Sequence, residues 1–549
     1  MRRFSKLGAF VLALAMVLAV ITGCGSASET PSAESKSTVT SDAAEQSTAA
    51  VTENPFAKQL DISISCWQSD PTFVDKADPV YKIIQDKFNI TINPMVITYD
   101  DYTEKTKMWL AAGEMPDIHQ TADNIGTQSF VNWCKDGLLK AMPEDLETKY
   151  PNLAEAFNSP DIQSTKIDGK FYMIPMYNVN SHKGGERMMI VRKDWMNALG
   201  LQKPTTYDEL VTFLKAFKNA DPAKLGAENV IPLSLWPGFT DVIDLAFNKA
   251  YSTNWTTEDG IYKPVFMTKN YFESLKAWRN LYKEGLLDRD IAINKTDDVL
   301  AKFVSNKLAV YTYQVSYKAG SFQDAFAKAN PDKKIEDSLD YIYQLKNQDG
   351  KNYKFESSTS WWGELFLNAK MDDEKYERCL ALLDYMMTEE WRTICRLGLE
   401  GVDYKKNGDQ IEVLLPKQDD GQFISLPSKY PFMNGFNQIV SWGTGKTDIY
   451  DENVITLAGA NPYIVKMARD AYTWADQNTT PSEAVFSINY LLSPKKMNFK
   501  VELSEEWMKF VLGEGTDEDL YNKYLGAMKK GGIDEVIAEV NEMMKAQGN

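Results

Sequence analysis

The chain has 549 residues, a formal charge of −17 and no grouped Lys/Arg segment, which argues against nucleic acid as a partner because phosphate neutralisation needs clustered cations. Its only histidines, His119 and His182, exclude a multi-histidine metal centre and leave a Ser-His or Cys-His nucleophile with nothing to recommend it. Five cysteines without a CxxC pair, in a chain of this size, do not read as a disulfide framework. Cys66, Cys134, Cys379 and Cys395 read as buried thiols, although Cys379 and Cys395 could meet across a helix pair.

From the N-terminus, Arg2, Arg3 and Lys6 precede an apolar run from Leu7 to Ile21 and then Thr22-Gly23-Cys24. A charged start, a short apolar core and small residues at the end describe a secretory signal peptide, and the run falls short of the roughly 20 residues a bilayer-spanning helix needs. Ile21-Thr22-Gly23-Cys24 resembles the lipobox of bacterial lipoproteins, in which the cysteine is lipidated and becomes the new N-terminus. Residues 1–23 are therefore expected to be removed and Cys24 to carry the lipid. Residues 25–53 are nearly all small or polar and cannot bury enough apolar surface to order themselves, so 24–56 is predicted to be a flexible tether. The expected location is the outer face of the cytoplasmic membrane. Removing the leader takes the charge from −17 to −20 and leaves 526 residues. That exceeds the roughly 250–300 residues at which one core stops growing, so at least two lobes are expected.

The body opens with Leu60-Asp-Ile-Ser-Ile-Ser-Cys-Trp67, an alternation that predicts a strand. Residues 79–88 place Val80, Ile83, Ile84 and Phe88 on one helical face, with Pro79 in the tolerated first turn. Ile90, Ile92, Met95 and Ile97 suggest a second strand, 101–112 a helix stopped by Gly113, and Met115-Pro-Asp-Ile118 a lead into a third strand. Further on, 194–200 and 206–218 read as helices, 230–235 as a strand, 271–284 as a helix, and 308–313 and 364–368 as strands. After residue 372 the pattern is mainly helical, closing on Ile533, Val536, Ile537, Val540 and Met544 as one face. Strands alternating with helices predict an α/β fold with a largely parallel sheet, and no repeat of fixed period is present.

Seven segments then occur in one order: Ala111–Ile118, Cys134–Leu139, Lys166–Pro175, Arg192–Leu201 with Pro204–Leu210, Leu281–Asp288, Phe303–Val310 and Leu399–Tyr404. Together they resemble the extracellular solute-binding proteins of family 1, lipid-anchored receptors of carbohydrate ABC importers. The length and helical C-terminal part are similar to the subgroup associated with oligosaccharides and uronate-containing polysaccharides. The resemblance implies a two-lobed periplasmic-binding-protein-like fold with a hinge, a monomer that captures an oligosaccharide and hands it to permease subunits, and no catalysis. It maps 57–178 plus 312–371 onto one lobe and 179–311 plus 372–549 onto the other. Larger members often carry a calcium loop after the Tyr207-Asp-Glu-Leu210 helix. Here Asp221–Pro232 has Ala223, Leu225 and Val230 where side-chain oxygens would stand, leaving Asp221, Glu228 and Asn229, short of the six to eight oxygens calcium takes; no cofactor is expected, and calcium in this loop is disfavoured though open.

A sugar offers an apolar CH face and a rim of hydroxyls, which calls for flat aromatic rings flanked by planar polar groups. At strand ends and crossovers the candidates are Trp67 and Gln68, Asp123 and Asn124, Tyr177 and Asn178, Trp236, Tyr313 with Gln314, and Trp361 with Trp362. Phe436 and Trp442 lie in a Gly-rich stretch that a capping loop would use, and Glu400 reads as structural in its turn. The alternative function is a surface glycoside hydrolase or lyase. It needs two carboxylates flanking a sugar, and although Asp123, Glu364 and Glu400 are available, nothing in the sequence pairs them. Adhesion would predict repeats.

Overall fold

The computed structural model describes residues 56–546 outside 68–70, 99–100, 178–186, 236–238, 315–319, 357–358, 409, 418–422, 437–438, 440–460 and 489–491. The signal segment, Cys24 and the tether lie outside the described residues. The first twelve strands in chain order are β1 (Leu60–Ser65), β2 (Ile90–Pro94), β3 (Ile118–Thr121), β4 (Ile174–Tyr177), β5 (Arg187–Arg192), β6 (Ile231–Leu235), β7 (Trp255–Glu258), β8 (Ile261–Pro264), β9 (Leu308–Gln314), β10 (Leu339–Ile342), β11 (Asn352–Tyr353) and β12 (Trp361–Leu367).

Local chemistry sets the first units. In β1 the alternating isoleucines Ile62 and Ile64 are fully buried. The Asp78 carboxylate accepts from the N–H groups of Val80 at 2.8 Å and Tyr81 at 3.3 Å, and Pro79 presets the first turn, so the helix Pro79–Phe88 starts there. Asn89 in the left-handed region (φ 48°) ends it and turns the chain into β2. The helix Tyr102–Ala112 stops on Gly113 at φ 66°, a conformation glycine adopts without a Cβ penalty.

Two larger sheets result. The first has the order β2-β1-β3-β12-β4, in which β1 pairs in parallel with β2 and β3 while β12 runs antiparallel to both β3 and β4. The second has the order β10-β5-β9-β6, with β5 antiparallel to β9 and β10, and β6 parallel to β9. The sequence reading found β9 and β6 but not β5, because Arg-Met-Met-Ile-Val-Arg is buried along its length and shows no alternation.

Each sheet has its own core, and these cores redraw the lobes expected from sequence. The segment 373–436 belongs with the first sheet rather than the second. β12 feeds directly into the helix Asp373–Met386, whose Leu380, Leu383 and Met386 join Ile62, Ile84 and Phe88 in one cluster. Arg378 from that helix donates to the carbonyls of Phe88 at 2.5 Å and Lys58 at 3.1 Å. Conversely, β10 is an edge strand of the second sheet, so residues 339–345 lie with that sheet and not with the first. The C-terminal helices Leu503–Leu512, Asp517–Lys530 and Ile533–Ala546 cover the second core through Trp507, Phe510, Met528, Val536, Val540 and Met544. Arg279 fastens them, donating to Asp517 at 2.9 Å and to the carbonyls of Gly513 at 2.5 Å and Gly515 at 2.9 Å.

Cys379 is a free thiol sealed in the first core and makes no disulfide with Cys395. Among the described residues no helix is long and apolar enough to cross a membrane.

Candidate ligand-binding site

In the first sheet, β1, β3 and β4 all point their carboxyl ends at one rim, and antiparallel β12 begins there. The chain leaves β1 for β2 on one side and returns to β3 on the other, so the strand order reverses between β1 and β3. In open α/β sheets that crevice is where ligands bind. Trp67 follows β1, Asp123 and Asn124 follow β3, Tyr177 ends β4, and Trp361 and Trp362 open β12. Six residues scattered from 67 to 362 thus share one rim.

Trp67 and Trp362 form the aromatic wall, with ring centroids 4.7 Å apart and planes at 39°. Tyr102 flanks Trp67 at 5.7 Å, and the Trp67 backbone N–H donates to Gln120 Oε1 at 3.1 Å. The pairing of β12 with β4 slips between Trp361 and Glu364, a bulge that re-aims the two tryptophans. Gly363 sits inside it at φ 78°. A Cβ there would lie 2.9 Å from Met176 Sδ, 3.1 Å from the Thr121 carbonyl and 3.2 Å from the Trp67 ring. Trp361 is nine-tenths buried in the first core, and its Nε1–H has no hydrogen-bond partner.

The polar half is the turn after β3. Asp123 has φ 61°, in the left-handed region. It is solvent-exposed at the residue level, yet its carboxylate is crowded by protein, which raises its pKa despite the bond from Tyr102 OH at 3.0 Å. Asn124 is buried; its backbone N–H and its Nδ2 each donate to Glu364 Oε1 at 3.0 Å. Burial pushes the Glu364 carboxyl up to about 8, with Asp123 adding like-charge repulsion. Beneath them His119 is a satisfied core residue between Ser65 Oγ at 2.6 Å and Thr106 Oγ1 at 2.7 Å, and burial lowers its pKa to about 3.

The second sheet brings a matching rim. β9 and β6 end there at Gln314 and Leu235, and antiparallel β5 begins there at Arg187, opposite Gln314. The Arg187 guanidinium bonds Asp241 at 2.7 Å and lies over the rings of Phe239 at 4.1 Å, Phe355 at 4.5 Å and Tyr251 at 5.5 Å. From Phe355 the chain reaches Trp361 in six residues, a span of at most about 20 Å. The two rims are thus linked by a short stretch of chain.

The remaining sequence candidates fall differently. Tyr313 and Gln314 lie at the end of β9 and Tyr177 at the end of β4, but their side chains are outside the described set, as are Gln68, Asn178, Trp236 and Trp442 entirely. Phe436 is not a ligand contact: it is fully buried in the helix Phe432–Phe436, stacked on Phe432 at 4.7 Å and Phe73 at 6.1 Å. The Gly-rich composition suggested a loop, whereas packing of three phenylalanines made a short core helix. Glu400 is exposed; the polar anchor of its turn is buried Asp403, which accepts from the Leu399 N–H at 2.7 Å and Tyr430 OH at 2.8 Å. Sequence reasoning missed Tyr102, Arg187 and the contact of Glu364 with the 123–124 turn. The available signals were an arginine at the start of one apolar strand and a lone glutamate inside another.

The Asp221–Pro232 loop does not fit a calcium ion. Asp221 Oδ1 is used to cap its own 3₁₀ turn, accepting from the Ala223 N–H at 3.0 Å, and Leu225 is buried. Among the described residues no three or more His, Cys, Asp or Glu side chains cluster as metal ligands would.

A family profile described as bacterial extracellular solute-binding protein matches residues 80–393, and the chain belongs to that family. It is 24% identical over 482 residues to the polygalacturonan/rhamnogalacturonan-binding protein YtcQ of Bacillus subtilis, covering 85% of this chain and 87% of that one. Among solved structures, the alginate-binding protein AlgQ2 without calcium superposes with a TM-score of 0.65 at 19% identity, over 88% of this chain and 98% of its own. The Streptococcus pneumoniae ABC-transporter substrate-binding protein FusA, an EF-hand mutant in complex with fructo-nystose, gives 0.64 at 18%, over 89% and 99%. The fold is thus the two-lobed α/β fold of solute-binding proteins.

Proposed function

We propose that this protein captures an oligosaccharide between the two rims and presents it to the membrane subunits of an ABC importer, as a monomer tethered through a lipid on Cys24. The observation that carries the reading is the rim of the first sheet: a tryptophan pair for a sugar's CH face beside a turn of amide and carboxyl groups for its hydroxyls. The names of relatives that bind galacturonan and fructo-oligosaccharide chains support a sugar, and the charged leader with Thr22-Gly23-Cys24 supports the anchor. Closure would be a population shift, favoured by contacts available only when both rims touch the ligand.

The hydrolase reading gains nothing from the site. Of the carboxyls it would recruit, Glu364 is sealed from solvent and Glu400 stands in the separate Leu399–Tyr404 turn. Calorimetric titration of residues 57–549 with oligogalacturonides, alginate oligosaccharides and fructo-oligosaccharides tests the proposal. Saturable binding with the sugar recovered intact is expected; shortened sugar released with turnover would overturn it.

A further inference from the structure

The Ala122–Asn124 turn is held in a way its own sequence does not account for. Asp123 occupies the left-handed region, which a non-glycine residue adopts at some cost and which outside contacts can hold in place. That support comes from across the sheet. Glu364, fully buried on β12, accepts from both N–H donors of Asn124 through Oε1, while its Oε2 is buried with no hydrogen-bond partner. An ionised carboxylate with a bare oxygen in such a place is costly, and among the described residues no cation is paired with it. The described titratable groups around it are Asp123 on the turn, Tyr102 bonded to Asp123 and neutral His119 on β3; none of these is positive.

We propose that Glu364 is the positioning residue of the ligand-contacting turn and does this work as a protonated, neutral acid. As a neutral acid it keeps one carbonyl-type oxygen for Asn124 without placing a second negative charge beside Asp123. The role of the turn as a ligand contact rests on the function proposed above; the proton on Glu364 does not.

The consequence has a definite sign. When the turn opens, Glu364 hydrates and ionises at its ordinary value of 4.5, whereas in the closed fold it keeps its proton up to about 8. Opening therefore becomes easier as pH rises between those values, by up to about tenfold per pH unit, and levels off above the upper one.

The test is hydrogen exchange of the protein without ligand, read on peptides containing Asn124 and corrected for intrinsic rate, between pH 5 and 9. The wild-type opening constant should climb and then plateau. The Glu364→Gln variant, neutral at every pH, should keep the turn protected and lose the climb that Glu364 causes, leaving only the dependence that Asp123 contributes. Infrared spectroscopy at pH 7 should show a protonated-acid carbonyl band that Glu364→Gln removes. Parallel profiles for the two proteins, absence of that band, or loss of turn protection in Glu364→Gln at pH 6 would each overturn the proposal. Sugar titration that fails while these profiles hold would instead sink the reading of the site.

Discussion

Arg192 and Glu364 are both ionisable side chains buried in the central sheets, and they are treated in opposite ways. Arg192 closes β5 at the end away from the rim. All three of its nitrogens are bonded, Nε and Nη2 to the Asp194 carboxylate at 2.9 and 2.6 Å and Nη1 to Asn306 at 2.5 Å, and the guanidinium lies over Trp195 at 4.4 Å. Glu364 lies inside β12, just past the bulge at the rim, and keeps an oxygen without a hydrogen-bond partner among the described residues. A buried charge with complete partners is architecture. A buried acid with incomplete partners beside a left-handed aspartate and an aromatic pair marks the place where the fold has been arranged around something else.

The largest effect should follow from breaking the complete network. Arg192→Ala leaves Asp194 half-buried and short of its main partner, and should cost about 3–5 kcal/mol in urea unfolding. Asp194 sharpens this in pH. Burial pushes its pKa up, but Arg192 and Lys333 together hold it below the usual range, so its contribution is present above the ordinary carboxyl pKa and is lost as pH falls through the depressed one. Acid unfolding should shift toward neutral pH in Arg192→Ala. On the rim the losses should appear in binding. Trp362→Ala should weaken sugar affinity by roughly tenfold or more in fluorescence titration while changing unfolding less than Arg192→Ala does. Equal affinity would remove the tryptophan pair from the site. Gly363→Ala must push its Cβ against Met176 and the Thr121 carbonyl at positive φ. It should cost about 1–2 kcal/mol by thermal unfolding and weaken binding through the displaced Trp67 and Trp362. The smallest effect should be that of chelation: adding EDTA is expected to leave the melting temperature unchanged, and a clear drop would restore a bound metal ion.

The fold was legible wherever period and caps agreed. Asp78-Pro79 and Gly113 bracket helices, and the alternation of Leu60–Ser65 marks a strand, because these are local choices. Buried β5 escaped because a strand covered on both faces loses its alternation. The mainly helical stretch from 372 to 436 was assigned to the wrong sheet because sequence does not say which face a following helix covers. At the site, Trp67, Trp361 and Trp362 could be read from aromatics at strand ends. Phe436 could not be separated from them, since the same ring serves a core and a platform equally well until its neighbours are known. The meeting of Asn124 with Glu364, 240 residues apart, is a product of sheet order alone.

A crystal structure with a bound oligosaccharide is the most direct test of capture between the rims. The expected result is a sugar ring against Trp67 and Trp362, its hydroxyls bonded at the Asp123–Asn124 turn, with the Arg187 rim closing from the opposite side. A sugar seated elsewhere, with both rims untouched, would contradict it.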